Sequence, residues 1–484
     1  MFFRQYQLPC LSIFSYLIGD ETTGRAVVVD PQRDISGYLD DAAANRLTIE
    51  RVIETHFHAD FLSGHLELAK ATGAAISYGD EAEAEFPIDP LAHGQRLELG
   101  DVVLEIRHTP GHTPESISVV VWEHADAPDP WAVLTGDTLF VGDVGRPDLL
   151  TAIGWTADTL ARSLYRSLHD QLLTLPDSTR VFPAHGAGSA CGKSMSDAVS
   201  STIGEQRQLN YALRLVNEDA FVEAVTEGQS VAPLYFAFTA DSNRRIHDLL
   251  DDVDPPPRFT IDDVERCARE EAVIIDGRSP EAFASGHIRG SVNVGLDGRF
   301  AEYAGDVVRP GQPIVVVADE GREAEAKVRL ARIGFDRVRG AVVNVERILA
   351  ERPDLAERSR RLAAADLAQW RDDEPGLQVV DVRNPAEQST GVVPGAVRIP
   401  LARLLDRHGE LDPKAPTVVY CAGGYRSSIA ASLLRAKGFA RVADLQGGYD
   451  AWAASNLPVD RRASVGSYRP MDASTADRTA VGDA

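Results

Sequence analysis

Cysteine, positive charge and long hydrophobic runs are all scarce in this chain. The 484 residues include four cysteines, Cys10, Cys191, Cys267 and Cys421. Their small number and wide scatter exclude a disulfide framework and suit a reducing compartment, in which a thiol can serve chemistry. The formal net charge is −24, and no strongly basic run interrupts it, so a phosphate backbone would be repelled. We expect no nucleic-acid partner.

The longest apolar-looking stretch, LPCLSIFSYLI at residues 8–18, is too short to cross a bilayer. No basic segment precedes it and no A-x-A site follows it, so it does not resemble a secretion signal. We interpret it as the first strand of the fold. We expect a cytoplasmic protein with no membrane partner.

The remaining composition is that of a globular protein. Hydrophobic residues make up 44% of the chain and charged residues 25%, which excludes a disordered or fibrous class. At roughly 150 residues per domain, the length predicts about three domains. Up to residue 250, short β-branched runs alternate with helical stretches, including a helix over about 194–228. This alternation is typical of an α/β domain, and the three consecutive prolines at 255–257 predict an extended connection.

The second half of the chain contains an internal repeat. VIIDGRSPEAFASGHIRG opens one copy and VVDVRNPAEQSTGVVPG opens the other. Asp276 in the first copy corresponds to Asp381 in the second, and Gly286 corresponds to Gly391. Such self-similarity indicates two copies of one small α/β domain, which we predict at 255–358 and 360–465 after a first domain at 1–250. A polar tail at 466–484 has no periodicity, and we expect it to be mobile or to lie on the surface.

Three loops at the ends of predicted strands carry histidine and aspartate. THFHADF holds His56, His58 and Asp60, HTPGHT holds His112, and TGDT holds Asp137. Imidazoles and a carboxylate gathered from strand ends are ligands for a borderline divalent metal. The sequence therefore predicts a metal site in the first domain.

Together with His185 of FPAHG, these loops resemble those of the metallo-β-lactamase superfamily across about residues 1–250. The resemblance implies an αββα sandwich, followed here by the two repeated α/β domains. In the dinuclear hydrolases of that superfamily, including glyoxalase II, a histidine follows the aspartate of H-x-H-x-D-H and helps to hold a second metal. Phe61 stands at that position, which favours a mononuclear site. The sequence is similar to the persulfide dioxygenase branch, which includes the ethylmalonic encephalopathy protein.

That resemblance implies one Fe(II) per chain, held at the positions of His56, His112 and Asp137. Two histidines and one carboxylate leave open positions for O₂ and a sulfur substrate, as in non-heme Fe(II) oxygenases. We expect His58 and Asp60 to orient the ligands through hydrogen bonds.

Three further residues near these motifs keep alternatives open. His185 is expected to form a polar wall of the substrate pocket, or to be an ordinary structural histidine. Arg146 of GDVGRPD could bind a carboxylate of the thiol carrier or form an internal ion pair with Asp148. Cys191, six residues after His185, is expected at the mouth of the metal pocket. It is either a catalytic thiol that receives persulfide or a small residue in a Gly/Ser loop.

The second copy of the repeat carries CAGGYR between an apolar strand and a helix. A thiol at such a turn faces backbone N–H groups and the positive end of the helix, and both favour a thiolate or a persulfide anion. Gly423 and Gly424 allow those N–H groups to converge on the substrate. With D-V-R-x-P before it and LQGGYDAW after it, the loop resembles the rhodanese active loop C-x-x-G-x-R. The resemblance implies that Cys421 is the sulfur acceptor and that Arg426 belongs to the catalytic loop.

The first copy has Ala318 or Asp319 where that thiol would stand. A loop without a thiol and with acidic residues cannot transfer sulfur from thiosulfate, so we predict an inactive rhodanese-like domain with a structural role. An unused domain also leads us to expect a homo-oligomer.

Together, the resemblances imply a non-heme iron persulfide dioxygenase coupled to a sulfurtransferase. It would oxidise a low-molecular-weight thiol persulfide with O₂ to sulfite, and interconvert sulfite and thiosulfate through a persulfide on Cys421. The thiol and the direction of the second step remain open. One alternative is a dinuclear zinc thioester hydrolase of the glyoxalase II type with a rhodanese appendage. Another is a non-enzymatic sulfur carrier or persulfide sensor.

Overall fold

The computed structural model describes residues 1–151, 154–250 and 254–461. The predicted tail at 466–484 lies outside the described residues. In the part of the chain that is described, no helix is both long and apolar enough to cross a membrane.

Two β-sheets form the centre of the first domain. The first sheet has its strands in sequence order: β1 (Phe2–Leu8), β2 (Ile13–Gly19), β3 (Arg25–Val29), β4 (Thr48–Ile53) and β5 (Ala75–Ser77). The second sheet also has its strands in sequence order: β6 (Arg96–Glu98), β7 (Val103–His108), β8 (Ile117–Trp122), β9 (Ala132–Gly136), β10 (Arg180–Pro183) and β11 (Ser201–Thr202).

Helices cover the outer faces of both sheets. They are α1 (Ser36–Ala44), α2 (His65–Thr72), α3 (Ala157–Arg166), α4 (Ile203–Leu209) and α5 (Glu218–Thr226). A sixth helix, α6 (Phe236–Ser242), lies between the loop that holds His58 and the second domain. A π-helical segment, Ser167–Leu172, continues α3. Alternate residues of β3 explain the layering, since Val27 and Val29 face the second sheet while Val28 packs under α1 and α2. The result is the predicted αββα sandwich.

Two predictions for local structure need correction. Residues 8–18 are not the first strand, because Pro9–Ser12 form a turn between β1 and β2 and Ser12 takes a positive φ of 57°. The helix expected over about 194–228 is broken into α4 and α5. Asn210 ends α4 and turns its side-chain amide to the carbonyl oxygen of Asp143, and Asn217 caps α5 by accepting from Ala220 N.

The second domain has a parallel sheet in the order β14-β12-β15-β16 and a separate antiparallel pair, β13 with β17. Its strands are β12 (Val273–Asp276), β13 (His287–Ile288), β14 (Val292–Asn293), β15 (Ile314–Val317), β16 (Val338–Val342) and β17 (Ala356–Glu357). Its helices are α7 (Ile261–Arg269), α8 (Pro280–Ser285), α9 (Phe300–Val307), α10 (Glu323–Ala331) and α11 (Val345–Glu351), with a 3₁₀ turn at Pro353–Leu355.

The third domain has a five-stranded parallel sheet in the order β18-β22-β21-β19-β20. Its strands are β18 (Arg360–Leu362), β19 (Gln378–Asp381), β20 (Val397–Arg398), β21 (Thr417–Tyr420) and β22 (Val442–Leu445). Its helices are α12 (Ala364–Asp373), α13 (Pro385–Gln388), α14 (Leu401–Arg407), α15 (Tyr425–Ala436) and α16 (Gly448–Ala454), with a 3₁₀ turn at His408–Glu410.

Both copies of the repeat contain the same buried ion pair between an arginine and an aspartate. Arg278 binds the buried carboxylate of Asp276 and donates to the carbonyl oxygen of Gly286 at 2.9 Å. Arg383 binds Asp381 in the same way and donates to the carbonyl oxygen of Gly391 at 2.7 Å. Since a buried charge is stable only when it is paired, the D-x-R pattern fixes the turn after the first long strand of each copy.

Direct contacts join the domains. Arg33 of the first domain is fully buried and donates to Glu67 at 2.8 Å and to the carbonyl oxygen of Ala331 in the second domain at 2.9 Å. Between the second and third domains, the hydroxyl of Tyr425 donates to the carbonyl oxygen of Gly295 at 2.7 Å. The loop that contains Cys421 therefore lies against the second domain.

Candidate metal centre and sulfur-transfer loop

Three of the predicted ligands converge where both sheets of the first domain send out loops. His56 follows β4 of the first sheet, while His112 and Asp137 follow β7 and β9 of the second. One ligand atom of each lies within 4.8 Å of the other two. His112 Nε2 is 3.4 Å and His56 Nε2 is 3.8 Å from Asp137 Oδ2. His56 Nε2 and Asp137 Oδ2 are buried without a hydrogen-bond partner among the described residues, so this donor set fits a divalent metal.

Hydrogen bonds on the far side of each ring leave the two Nε2 atoms available as ligands. His112 Nδ1 lies 2.8 Å from the carbonyl oxygen of Arg146, which only accepts, so Nδ1 carries the proton. The Thr55 hydroxyl donates to Asp30 at 2.9 Å, and its oxygen therefore accepts from His56 Nδ1 at 3.0 Å. Both imidazoles are held as the tautomer whose Nε2 lone pair faces the cluster.

The charges of the cluster also suit a metal ligand set. Burial lowers the pKa of His56 well below its usual range, and the nearby His58 lowers it further. Burial alone would raise the pKa of Asp137, but His185 and His112 beside it bring that pKa below the usual range of an aspartate. A neutral imidazole and an ionised carboxylate are the forms that bind a cation.

His58 contacts a neighbouring acidic pair. Its Nε2 lies 3.1 Å from Asp30 Oδ1 and 3.5 Å from Glu54 Oε2. Asp30 also accepts from Thr55, so His58 is linked to His56 through Asp30 and Thr55, and its ring also lies directly against the His56 ring, with 4.2 Å between the centroids. Those two residues were missed from the sequence, although Asp30 ends the VVVD run and Thr55 stands inside THFHADF.

Asp60 and His185 form a second chain of contacts to the cluster. His185 Nε2 lies 2.7 Å from Asp60 Oδ2, and His185 Nδ1 lies 2.5 Å from Asp137 Oδ1. Burial alone would lower the pKa of His185, but the carboxylates of Asp137 and Asp60 raise it to about 10. His185 thus bridges two carboxylates beside the ligand cluster, and both of its ring nitrogens have partners.

Phe61 fills its site with hydrocarbon. Its side chain is 1% exposed, and its ring lies 4.3 Å from the ring of His58, measured between centroids. It packs in one apolar cluster with Phe140 and Tyr235. A phenyl ring offers no lone pair, so this position supplies no ligand for a second metal.

Cys191 lies inside this region and not at an open mouth, which corrects its predicted place. The thiol is 1% exposed, and its sulfur lies within 4.8 Å of one ligand atom each of Asp60 and His185. Burial raises the pKa of the Cys191 thiol well above its usual range, and the carboxylates of Asp60 and Asp137 act in the same direction. A thiol in this setting is a poor nucleophile until a neighbour removes its proton. Both roles considered for Cys191 stay open.

Arg146 makes the ion pair that the sequence left as an alternative. Its guanidinium donates to both carboxylate oxygens of Asp148, at 2.7 and 2.8 Å. It also donates to the carbonyl oxygens of Ala190 at 3.0 Å and Ser230 at 2.8 Å. The side chain is 2% exposed. Because it links its own loop to the segments that contain Ala190 and Ser230, this geometry favours a structural role.

The predicted sulfur-transfer loop has the expected form. Cys421 follows β21, and the N–H of Gly424 donates to its sulfur at 3.1 Å. Gly424 has a φ of +103°, a conformation that favours glycine. The segment LQGGYDAW at residues 445–452 packs tightly against this loop, because a Cβ at Gly448 would lie 2.3 Å from the carbonyl oxygen of Cys421. Gly423 faces open space in the described structure.

Arg426 has a partner that was missed from the sequence. Its guanidinium donates to both oxygens of Glu387, at 2.7 and 2.6 Å. Burial would lower the pKa of Arg426, but the hydrogen bonds that its guanidinium donates to Glu387 raise it, so Arg426 stays cationic. Comparing the two copies could have found this partner, because the first copy has Ala282 at the position of Glu387.

The first copy lacks both the thiol and this pair. Ala318 and Asp319 follow β15 at the same strand-to-helix turn, and the N–H of Gly321 donates to Glu323 at 2.7 Å. The N–H of Gly321 is therefore already hydrogen-bonded to Glu323 of the same loop and is not available to a sulfur substrate.

One solved structure decides the family. A metallo-beta-lactamase from Staphylococcus aureus subsp. aureus COL aligns with a TM-score of 0.64 and 34% identity, over 71% of this chain and 98% of that chain. The model of the metallo-beta-lactamase superfamily matches residues 8–185. This chain belongs to the metallo-β-lactamase superfamily.

Two curated relatives of this superfamily member are named after different reactions. The mitochondrial persulfide dioxygenase ETHE1 of Bos taurus is 29% identical over 247 residues, which covers 50% of this chain and 87% of the bovine protein. A hydroxyacylglutathione hydrolase-like protein of Mus musculus is 34% identical over 173 residues, which covers 36% of this chain and 57% of the mouse protein.

The second half of this metallo-β-lactamase superfamily protein consists of rhodanese-like domains. The rhodanese-like domain model matches residues 261–341 and 363–455. The predicted fusion of one metallo-β-lactamase domain with two rhodanese-like domains is confirmed.

Proposed function

We propose that the protein is a mononuclear non-heme iron persulfide dioxygenase joined to a sulfurtransferase. The observation that carries the proposal is the convergence of His56 Nε2, His112 Nε2 and Asp137 Oδ2 in a buried site. Two histidines and one carboxylate are the ligand set of non-heme Fe(II) oxygenases. The similarity to ETHE1 over the first domain supports the same reaction class.

One Fe(II) per chain would be held by these three residues, and it would supply the redox chemistry that lets O₂ react with the sulfur of a substrate. The protein's own contribution is orientation and charge. The Thr55 hydroxyl and the Arg146 carbonyl fix the two imidazoles, and Asp137 offsets positive charge. The apolar side chain of Phe61 limits the site to a single ion and excludes water from one side.

The proposed substrates of the first domain are a low-molecular-weight thiol persulfide and O₂, and its product is sulfite. Cys421 would accept sulfane sulfur from a second persulfide molecule, which leaves as the free thiol. The N–H of Gly424, 3.1 Å from the Cys421 sulfur, would stabilise the negative charge of a persulfide. Sulfite would then take up that sulfur to give thiosulfate, and the reverse direction uses the same groups.

A homo-oligomeric state and a cytoplasmic location remain predictions from the sequence. The second domain, which lacks the thiol, supports the homo-oligomer. The four scattered, unpaired cysteines support the cytoplasmic location. Size-exclusion chromatography with light scattering measures the first, and fractionation of the source cells measures the second.

A dinuclear hydrolase is the second candidate function. The similarity to a hydroxyacylglutathione hydrolase-like protein favours it, as does the group formed by Asp60, His185 and Cys191, whose ligand atoms lie within 4.8 Å of one another. Against it, Phe61 supplies no ligand, and the third member of the group is a buried thiol of raised pKa.

Cys421→Ser tests the proposed division of labour, with Cys267→Ser as the control at a second buried cysteine. A hydroxyl cannot carry sulfane sulfur, and the metal ligands lie in another domain. We expect Cys421→Ser to keep wild-type oxygen uptake with a persulfide but to release sulfite in place of thiosulfate. The control should behave as the wild type. Thiosulfate formed by Cys421→Ser at the wild-type rate would refute a role for this cysteine.

A further inference from the structure

All three domains meet at one cavity of about 380 Å³. Each domain contributes lining residues: Ala190 and Gly192 from the first, Arg299 and Glu302 from the second, and Glu387 and Arg426 from the third. Its volume lies within the range of small-molecule sites and exceeds the space that one sulfite ion needs.

The wall on the side of the first domain is the loop that carries Cys191. Ala190 and Gly192 line the cavity, while the Cys191 sulfur between them lies within 4.8 Å of ligand atoms of Asp60 and His185. The N–H of Arg146 donates to the Cys191 carbonyl oxygen at 3.1 Å. One short loop therefore separates the cavity from the residues around the metal cluster.

The wall on the side of the third domain belongs to the sulfur-transfer loop. Arg426 lies in the first turn of α15, in the same six-residue motif as Cys421. It lines the cavity together with Glu387, which it binds. This wall therefore presents an ion pair, with the remaining N–H groups of the guanidinium, beside the sulfur acceptor.

The second domain lines the cavity with α9 and the residue before it. Arg299 Nε is buried without a hydrogen-bond partner in the described ranges. Glu302 and Asp306 also line the cavity and would repel an anion if both were ionised. The Arg299 guanidinium forms an ion pair with Glu302 and offsets its charge, and burial raises the pKa of Asp306, which favours its neutral form. The lining is therefore compatible with a small oxyanion.

We propose that this cavity is a transfer chamber, in which sulfite formed at the metal cluster reaches the Cys421 persulfide faster than it exchanges with sulfite in bulk solution. The inference rests on the proposed function. It also gives the inactive second domain a task, because α9 forms the wall that completes the chamber between the other two domains.

The transfer step needs no further reagent. The sulfur lone pair of sulfite attacks the outer sulfur of the Cys421 persulfide, and a new sulfur–sulfur bond forms. The bond between the outer sulfur and Cys421 Sγ breaks, its electron pair stays on Sγ, and the persulfide proton moves to Sγ. Persulfide and sulfite dianion thus become thiol and thiosulfate dianion, with charge and electrons conserved.

Isotope dilution tests the chamber in the full-length, iron-loaded protein. Glutathione persulfide and O₂ are turned over in the presence of ³⁴S-sulfite in solution, and the label in the sulfonate sulfur of thiosulfate is measured. We expect this label to be several-fold below that of the bulk sulfite. Thiosulfate that carries the full bulk label would overturn the chamber while leaving the proposed function in place. Absence of oxygen uptake would overturn both.

Two variants should obstruct the cavity, and a third variant serves as the control. Ala402→Phe in α14 and Ala190→Phe in the loop of the first domain place a ring into the lining, whereas Ala365→Phe changes an exposed residue of α12. We expect the first two to keep oxygen uptake but to raise the label to the bulk level, and the control to match the wild type. If Ala402→Phe fails to fold, Ala190→Phe makes the same test. An unchanged low label in a folded obstructing variant would show that sulfite does not pass through this cavity.

Discussion

Thr55→Val removes one hydroxyl from the support of the metal centre and nearly preserves the shape of the side chain. In the structure, that hydroxyl donates to Asp30 at 2.9 Å and accepts from His56 Nδ1 at 3.0 Å. Without it, nothing on this side holds the proton on Nδ1, and the His56 ring can turn or change tautomer. Loss of such an orienting partner lowers metal affinity by about 10- to 100-fold, or about 1.4 to 2.8 kcal/mol.

The assay is competition between the protein and a chelator for Fe(II) under anaerobic conditions, with folding followed by circular dichroism. Thr55→Ser keeps the hydroxyl and should retain wild-type affinity. Thr226→Val also loses a hydroxyl hydrogen bond, to the carbonyl oxygen of Val222 at 2.7 Å, but in α5, on the outer face of the second sheet. It should lose about 1 kcal/mol of stability and no metal affinity. Wild-type affinity in Thr55→Val would refute the orienting role.

Phe61→His adds a nitrogen ligand beside the cluster, so we expect raised zinc occupancy and weaker dioxygenase activity, and an unchanged metal count by mass spectrometry would contradict the role given to Phe61. Arg146→Met leaves buried carbonyl groups unpaired and should destabilise the fold by about 3 kcal/mol without changing the KM for persulfide; a raised KM at unchanged stability would assign Arg146 to substrate binding instead. Cys191→Ser should slow oxygen uptake with thiosulfate as sulfur donor more than with a small persulfide. Equal wild-type rates with both donors would leave Cys191 with a structural role only.

The predictable part of the structure is the part encoded locally. His56, His112 and Asp137 could be found because each follows a strand, and strand-end loops of a sandwich meet at one edge. The repeat was visible because Arg278 and Arg383 must neutralise buried aspartates in the same way in both copies. These constraints act over a few residues, so the sequence pattern records them.

Features that depend on tertiary contacts could not be found in this way. The helix expected over about 194–228 is interrupted where Asn210 binds the distant Asp143 carbonyl, a contact that helical periodicity does not record. The pairing of His185 with two carboxylates arises only when three loops fold together. The cavity between the domains depends on how complete domains pack, and no single motif encodes it.

Oxygen uptake by the metal-loaded protein on addition of glutathione persulfide, measured together with metal content, tests the proposed reaction most directly. The wild type should bind one iron per chain, consume O₂ with iron but not with zinc, and form sulfite or thiosulfate. Asp137→Ala, which removes the only carboxylate of the proposed ligand set, should lose both metal and oxygen uptake. Two zinc ions per chain, with thioester hydrolysis and no persulfide-dependent oxygen uptake, would contradict the proposal.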